Sequence, residues 1–349
     1  MRYRSSRMTT APDDHWSEAL AWGRTVPRLD LVTTPTALED GGLLDSGARL
    51  WVKRDDLTGL GAGGNKGRKL EYLCADALTQ GADCLVTVGA AQSNHCRMTA
   101  AAGARLGLPV HLVLSGHAPD RLEGNQLLSS MFGATLHHTG HSDSEWSLLE
   151  EFRLTLTDRL KREGRRPHSI PIGGSTPVGA LGYWRAFDEI MQQCRTRGFR
   201  PDVIVHTSSS GGTHAGLLAG AAHRRHHGAD HCPVVAIGVA KGAALSTVGI
   251  VELTTASLSL GGSNAAIDPA DVTIDPDHLG PGYAIDTPEA GEATMWAATR
   301  GAWVLDPVYT AKGMAGLLGR DRAGHHDGLQ NVVFIHTGGL PSVFAHRSP

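Results

Sequence analysis

Several things are scarce in this chain of 349 residues, and each scarcity excludes a class of protein. Cysteine occurs five times, at Cys74, Cys84, Cys96, Cys194 and Cys232. An odd, scattered set with no C-x-x-C pair makes no disulfide framework, so a reduced, cytoplasmic protein is expected. No apolar run is long enough to span a bilayer, and no membrane partner is expected. The segment from Met1 to Asp14 is polar and basic, a poor signal peptide, and residues 1–25 read as a flexible tail. The formal net charge of −3 gives no reason to expect nucleic acid. The phosphate-binding motif ending in G-K-S/T is missing, and so is the G-x-G-x-x-G of dinucleotide folds.

Glycine and histidine are plentiful, at 44 and 19 residues. Glycines without a collagen-like period imply many tight turns and places where backbone approaches a ligand. The densest histidine group is His223, His226, His227 and His231. No second ligand cluster accompanies it, so these read as surface histidines and no metal is expected.

From residue 49 onward, short β-branched runs alternate with longer amphipathic stretches. Residues 84–88, 109–114, 168–172, 203–207, 233–239 and 331–336 read as buried parallel strands. Leu70, Leu73, Cys74, Ala77 and Leu78 fall on one face of a helix that Gly81 ends. This order implies βαβ units, an α/β fold with open, twisted, mostly parallel sheets flanked by helices. The stretch 256–282 is rich in Gly, Ser, Asp and Pro and reads as a long excursion.

Ligands of such folds bind beyond the carboxyl ends of the strands, and the chemistry-bearing segments lie at those junctions. Lys66 stands among glycines in Gly63-Gly64-Asn65-Lys66-Gly67, where a planar ligand can reach its amine and form a Schiff base. Ser208 to Gly216 is a Ser/Gly/Thr loop opening a helix, a cradle for phosphate. Gln92-Ser93-Asn94-His95 places four hydrogen-bonding side chains at another junction, although capping needs only one. Tyr283 lies in a Gly/Pro turn, and Tyr309 and Thr310 begin a helix after Asp306-Pro307. His336-Thr337-Gly338-Gly339 follows a further strand.

With Lys53-Arg54-Asp55-Asp56-Leu57 and Gly173-Gly174-Ser175, these ordered motifs resemble the fold-type II pyridoxal-phosphate enzymes. Within them they are most similar to the group holding D-cysteine desulfhydrase and 1-aminocyclopropane-1-carboxylate (ACC) deaminase. The resemblance runs from about Leu31 to Phe344. It implies pyridoxal 5′-phosphate as cofactor, a small amino-acid substrate and a homodimer. It also implies a larger cofactor-binding domain of residues 1–67 and 180–349 and a smaller one of 68–179.

Lys66 resembles the lysine that carries the cofactor, and Asn94 the residue that bonds its 3′-oxygen. Ser210, Gly211, Gly212 and Thr213, with Lys69 nearby, resemble the phosphate site. Ser93, Asn94, His95, Tyr283 and Tyr309 resemble residues around the substrate. Lys66, Ser93, Tyr283 and Tyr309 thereby become the expected catalytic set. Thr310 falls where the partner of the pyridine nitrogen is expected and where ACC deaminases resemble each other in having glutamate. A neutral hydroxyl there gives weaker stabilisation of negative charge, which suits β-elimination of a good leaving group. The expectation is a lyase acting on a D-cysteine-like amino acid. The alternatives are ACC-type ring opening and a cofactor-binding sensor without turnover. Met98, Ala284, Ala311 and Gly313 depart from the desulfhydrase pattern and leave the substrate open, a cysteate-like compound included.

Overall fold

The computed structural model describes residues 8–9, 22–23, 25–240 and 246–345. Its first strands are β1 (Met8–Thr9), β2 (Arg28–Leu29), β3 (Leu38–Leu43) and β4 (Arg49–Lys53). Then come α1 (Lys66–Thr79), β5 (Cys84–Gly89), α2 (Asn94–Leu106), β6 (Val110–Leu114) and α3 (Gly124–Met131). They are followed by β7 (Thr135–His138), α4 (Trp146–Arg162), β8 (Pro167–Ile170), α5 (Pro177–Thr196) and β9 (Val203–Ser208). The chain continues through α6 (Gly212–His226), β10 (Val234–Gly238), α7 (Thr247–Leu260) and β11 (Thr273–Asp275). The last elements are α8 (Pro288–Gly301), α9 (Thr310–Arg322) and β12 (Asn331–Ile335).

Strands β11-β10-β9-β12-β4-β3 form one six-stranded sheet, and β7-β6-β5-β8 form a four-stranded sheet. Within both, only β3 runs antiparallel to its neighbour. Parallel strands connected by helices bury both faces, and the side chains show how. Val203 and Val205 of β9 pack with residues of α8 and α9, while Ile204 between them packs with α5 and α6. In the smaller sheet, Leu85 faces α1 and α2, and Val86 faces α4. The period of two along each strand thus feeds two helical layers.

Helix α1 behaves as its periodicity predicts: Leu70, Leu73, Cys74 and Ala77 are buried. Gly81, at φ +70°, ends it, with Ala82 N–H donating to the Ala77 carbonyl at 2.9 Å. The opposite side of α1 is buried too, and it is charged. Arg68 forks onto Asp55 at 2.8 Å through both Nε and Nη2 and reaches Glu189 of α5 at 2.9 Å. Tyr183 donates to the same Asp55 carboxylate at 2.6 Å, and Lys53 joins Glu189 in an ion pair. This buried network ties the start of α1 to β4 and α5. It thereby holds the backbone that presents Lys66.

Two expectations change. The stretch 256–282 is not a plain excursion, because α7 runs on to Leu260 and Thr273–Asp275 pairs with β10 at the sheet edge. The segment 1–25, expected to be a flexible tail, lies mostly outside the described residues. Within it, Met8–Thr9 pairs with Arg28–Leu29, and Trp22 stacks on Trp184 with ring centroids 4.1 Å apart. His223 is buried and bonded to Ser263 Oγ at 2.8 Å, whereas His226, His227 and His231 are exposed. Among the described residues, no group of three or more His, Cys, Asp or Glu is placed to hold a metal ion. Nor is any described helix long and apolar enough to cross a membrane.

Candidate active site

Parallel strands deliver their following loops to one edge. Here the loops after β5, β9 and β12 meet the N-terminus of α1 around a cavity of about 700 Å³, its open mouth included. Lys66, Ser93, Asn94, His95, Ser210, Gly211, Thr213, Tyr283 and Tyr309 all line it. Lys69 and Gly212 lie immediately behind the wall, and Thr310 does not reach it.

Lys66 is the first residue of α1, and its amine lies 3.2 Å from Asn65 Oδ1. Burial lowers its pKa to about 8, with the charge of Asp306 opposing the fall. The loop before it admits no side chain at Gly63, where a Cβ would sit 1.9 Å from the Asp56 carbonyl oxygen. Arg97 of α2 pins the same loop by donating to the Gly63 carbonyl at 2.9 Å.

The loop after β5 uses its polar run in different ways. Ser93 caps α2, accepting from Cys96 N–H at 3.2 Å, and also faces the cavity. Asn94 Oδ1 accepts from Asn125 Nδ2 at 3.1 Å and Arg97 Nη2 at 3.3 Å. Its oxygen is therefore occupied from behind, which turns the amide NH2 toward the cavity. His95 is held by Thr87, 2.8 Å from its Nε2. The Thr87 hydroxyl donates to the Ile170 carbonyl, so His95 Nε2 carries the proton and Nδ1 is a bare acceptor. That buried Nδ1 has no partner. Burial, and then the charges of Lys66 and Lys69, hold His95 neutral.

The cradle is built where β9 ends. Ser210 and Ser175 are 2.8 Å apart, and Gly212 N–H donates to Ser175 Oγ at 3.2 Å. Lys69 is 1 % exposed, and its described hydrogen bond is to the Gly173 carbonyl at 3.1 Å. Burial and the neighbouring Lys66 charge push its pKa well down. A Cβ on Gly212 would stand 2.8 Å from Lys69 Nζ and 2.7 Å from Ser175 Oγ. A buried amine with one carbonyl partner, beside hydroxyls and a helix N-terminus, fits a phosphate dianion. The donors and the reactive lysine together match the two ends of pyridoxal phosphate.

The far wall is aromatic. The Tyr283 and Tyr309 hydroxyls hydrogen-bond to each other, with ring centroids 6.0 Å apart. Burial raises both phenol pKa values, so both hydroxyls keep their protons. Trp146, the first residue of α4, meets Tyr283 edge-on at 5.0 Å and lines the cavity with Ile172.

A profile of pyridoxal-phosphate dependent enzymes matches residues 30–338. The chain belongs to that family. D-cysteine desulfhydrases of Salmonella typhi and Salmonella newport are 37% identical over 328 residues, covering 92% of this chain and 96% of each relative. The solved structure of an ACC deaminase homologue superposes with a TM-score of 0.81 at 37% identity, covering 91% of this chain and 93% of that one. A fungal L-serine ammonia-lyase from Rhizomucor miehei shares the fold alone, with a TM-score of 0.63 at 16% identity, covering 90% of this chain and 96% of that one. The mixed α/β architecture and the cofactor read from the motifs are those of this family of enzymes.

Thr310 stands just behind the cavity wall. Thr310 Oγ1 donates to Asp306 Oδ1 at 2.8 Å and accepts from the Asp306 N–H at 2.7 Å. It organises the Asp306 turn at the start of α9, and its neighbours Asp306, Tyr309, Thr337 and Gly338 line the cavity. Met98, Ala284, Ala311 and Gly313 do not line it either. Asn65, Asp306 and Thr337 sit inside the quoted motifs and were within reach of sequence reasoning. Trp146 and Ile172 carry no local signal.

Proposed function

We propose that this enzyme is a lyase that removes the β-substituent of a small D-amino acid resembling D-cysteine. D-Cysteine and water then give pyruvate, ammonia and sulfide. The carrying observation is the placement of Lys66, its amine depressed to about 8, in one cavity with the protonated Tyr283–Tyr309 pair. When bound, pyridoxal phosphate supplies the electron sink for negative charge at the substrate Cα.

The residues provide the rest. Lys69, Ser210, Gly211, Gly212 and Thr213 hold the phosphate, and the Asn94 amide donates to the 3′-oxygen. Lys66, poised near neutrality, takes the proton from Cα. Backbone N–H groups at the α2 N-terminus, with the Ser93 hydroxyl, receive the substrate carboxylate, while the bare Nδ1 of His95 serves the pocket as an acceptor. Tyr309, polarised by Tyr283, gives a proton to the departing sulfur. Thr310 acts by holding Asp306, whose charge supports the Lys66 ammonium.

The five cysteines are buried and unpaired, in keeping with a cytoplasmic enzyme, and a homodimer completes the reading. Light scattering checks the dimer, and a monomer at micromolar concentration would remove it. The structural likeness to an ACC deaminase homologue keeps ring opening as the second reading. A panel of D- and L-cysteine, β-chloro-D-alanine, D-cysteate and ACC separates them. Pyruvate and sulfide from D-cysteine support elimination, and 2-oxobutyrate from ACC alone overturns it.

A further inference from the structure

The aromatic wall has a property that D-cysteine does not use. Trp146 comes from α4, which packs on the four-stranded sheet, and Tyr283 comes from the loop after β11 of the other sheet. Their edge-to-face contact, at an interplanar angle of 86°, closes the cavity from both sides. Trp146 and Ile172 also pack on one apolar cluster, so the indole is backed by hydrocarbon. A thiol group is small and needs no such surface. Among the described residues, Lys66 is the one cation lining the cavity, while Lys69 lies behind the cradle. A sulfonate or second carboxylate set against Trp146 and Ile172 would find no charge there to meet it. Leaving such an ion unpaired against apolar groups is costly. A thioether, by contrast, gains from contact with aromatic rings, and its hydrocarbon gains from burial.

We propose that Trp146 makes this a site for neutral S-substituted D-cysteines, with an apolar alkyl or aryl group on sulfur, in preference to D-cysteine itself. The inference rests on the elimination reading above and narrows its substrate. In the reaction, the bond between Cβ and sulfur breaks and the electron pair leaves with sulfur. Sulfur takes up a proton to give the thiol R–SH. The remaining three carbons and nitrogen, with one water, give pyruvate and ammonia. No oxidant or reductant is needed. Trp146 is a specificity-determining residue, touching the R group and not the reacting bond.

The test uses the holoenzyme with D-cysteine, S-methyl-D-cysteine, S-benzyl-D-cysteine and D-cysteate, reading both pyruvate and thiol. The wild type should cleave S-benzyl-D-cysteine with a kcat/KM about tenfold or more above that for D-cysteine. Trp146→Ala should lower that ratio about tenfold, mainly through KM, and Trp146→Phe should keep part of it. A second readout avoids turnover: D-methionine has a thioether but no β leaving group. It should quench the indole emission of wild type, and the quench should be absent in Trp146→Phe. If D-cysteine is cleaved but the thioethers are not, elimination stands and this inference falls. It falls equally if D-cysteate is preferred, if Trp146→Ala leaves the ratio unchanged, or if D-methionine causes no quench. Cleavage of none of the four removes the elimination reading and the inference together. Should Trp146→Ala not fold, the wild-type panel and Trp146→Phe decide.

Discussion

Attachment of the cofactor to Lys66 should accelerate with pH up to about 8 and then level off. Only the neutral amine attacks an aldehyde. With a pKa of about 8, roughly one Lys66 in ten is neutral at pH 7. A lysine at the ordinary 10.5 would be neutral about once in three thousand. Burial therefore makes Lys66 about 300-fold more available at pH 7 than an exposed lysine. Asp306 limits the gain by favouring the charged form. The sign follows directly: the rate falls about tenfold per pH unit well below pH 8 and is flat well above it. Enzyme stripped of cofactor can be mixed with pyridoxal phosphate across this range while the visible adduct band is followed. Butylamine measured in parallel divides out the ionisation of the free cofactor. Borohydride reduction and peptide mapping then locate the adduct. An inflection displaced to the ordinary lysine range, or an adduct on Lys69 or Lys312, would refute the reasoning.

Other perturbations test the surroundings. Gly212→Val inserts atoms where a Cβ already comes within 2.7 Å of Ser175 Oγ, so the cofactor Kd should rise about 100-fold with the circular dichroism unchanged. Retention of the cofactor at wild-type affinity would place the phosphate elsewhere. Tyr309→Phe removes the hydroxyl bonded to Tyr283 and should lower kcat for elimination by about 10²-fold with a smaller change in KM. An unchanged kcat would take proton delivery away from this pair. Asp55→Asn breaks the bidentate Arg68 contact and should cost about 3 kcal/mol at pH 7 in urea unfolding. Burial raises the Asp55 pKa, but the charges of Arg68 and Lys53 hold it below the ordinary carboxylate value. Its contribution is therefore full above about pH 4 and lost as pH falls through the folded value, so wild type and variant should converge in acid. A gap that widens in acid would contradict this.

Much of the site is legible without coordinates because its parts are local. A glycine-flanked lysine, a Ser/Gly/Thr run after a β-branched strand, and a polar quartet before a helix each declare a strand-to-helix junction. Parallel topology then places such junctions on one edge. Lys66, Asn94 and the Ser210–Thr213 loop accordingly converge on one cavity. The buried strands β5, β6, β9, β10 and β12 were legible because burial on both faces demands apolar runs, whereas the partly exposed edge strands β7 and β11 carry no such run.

What depends on packing between distant segments was not legible. No periodicity links Trp146, on a helix packed against the smaller sheet, to Tyr283, in a loop that follows a strand of the larger one, and they meet only when the two sheets close around the cavity. Thr310 stands beside Tyr309 in sequence, yet a helix turns neighbouring side chains by about 100°, so one lines the cavity and the other binds Asp306. Charge along α1 suggests a solvated face, but Arg68 and Glu71 are buried because Asp55 from the turn after β4, Glu189 of α5 and the Leu31–Val32 segment come to meet them. The composition and order of the chain determined which chemistry its strand ends present. Tertiary structure decided which side chains surround it, because contacts between remote segments arise only when both sheets are in place.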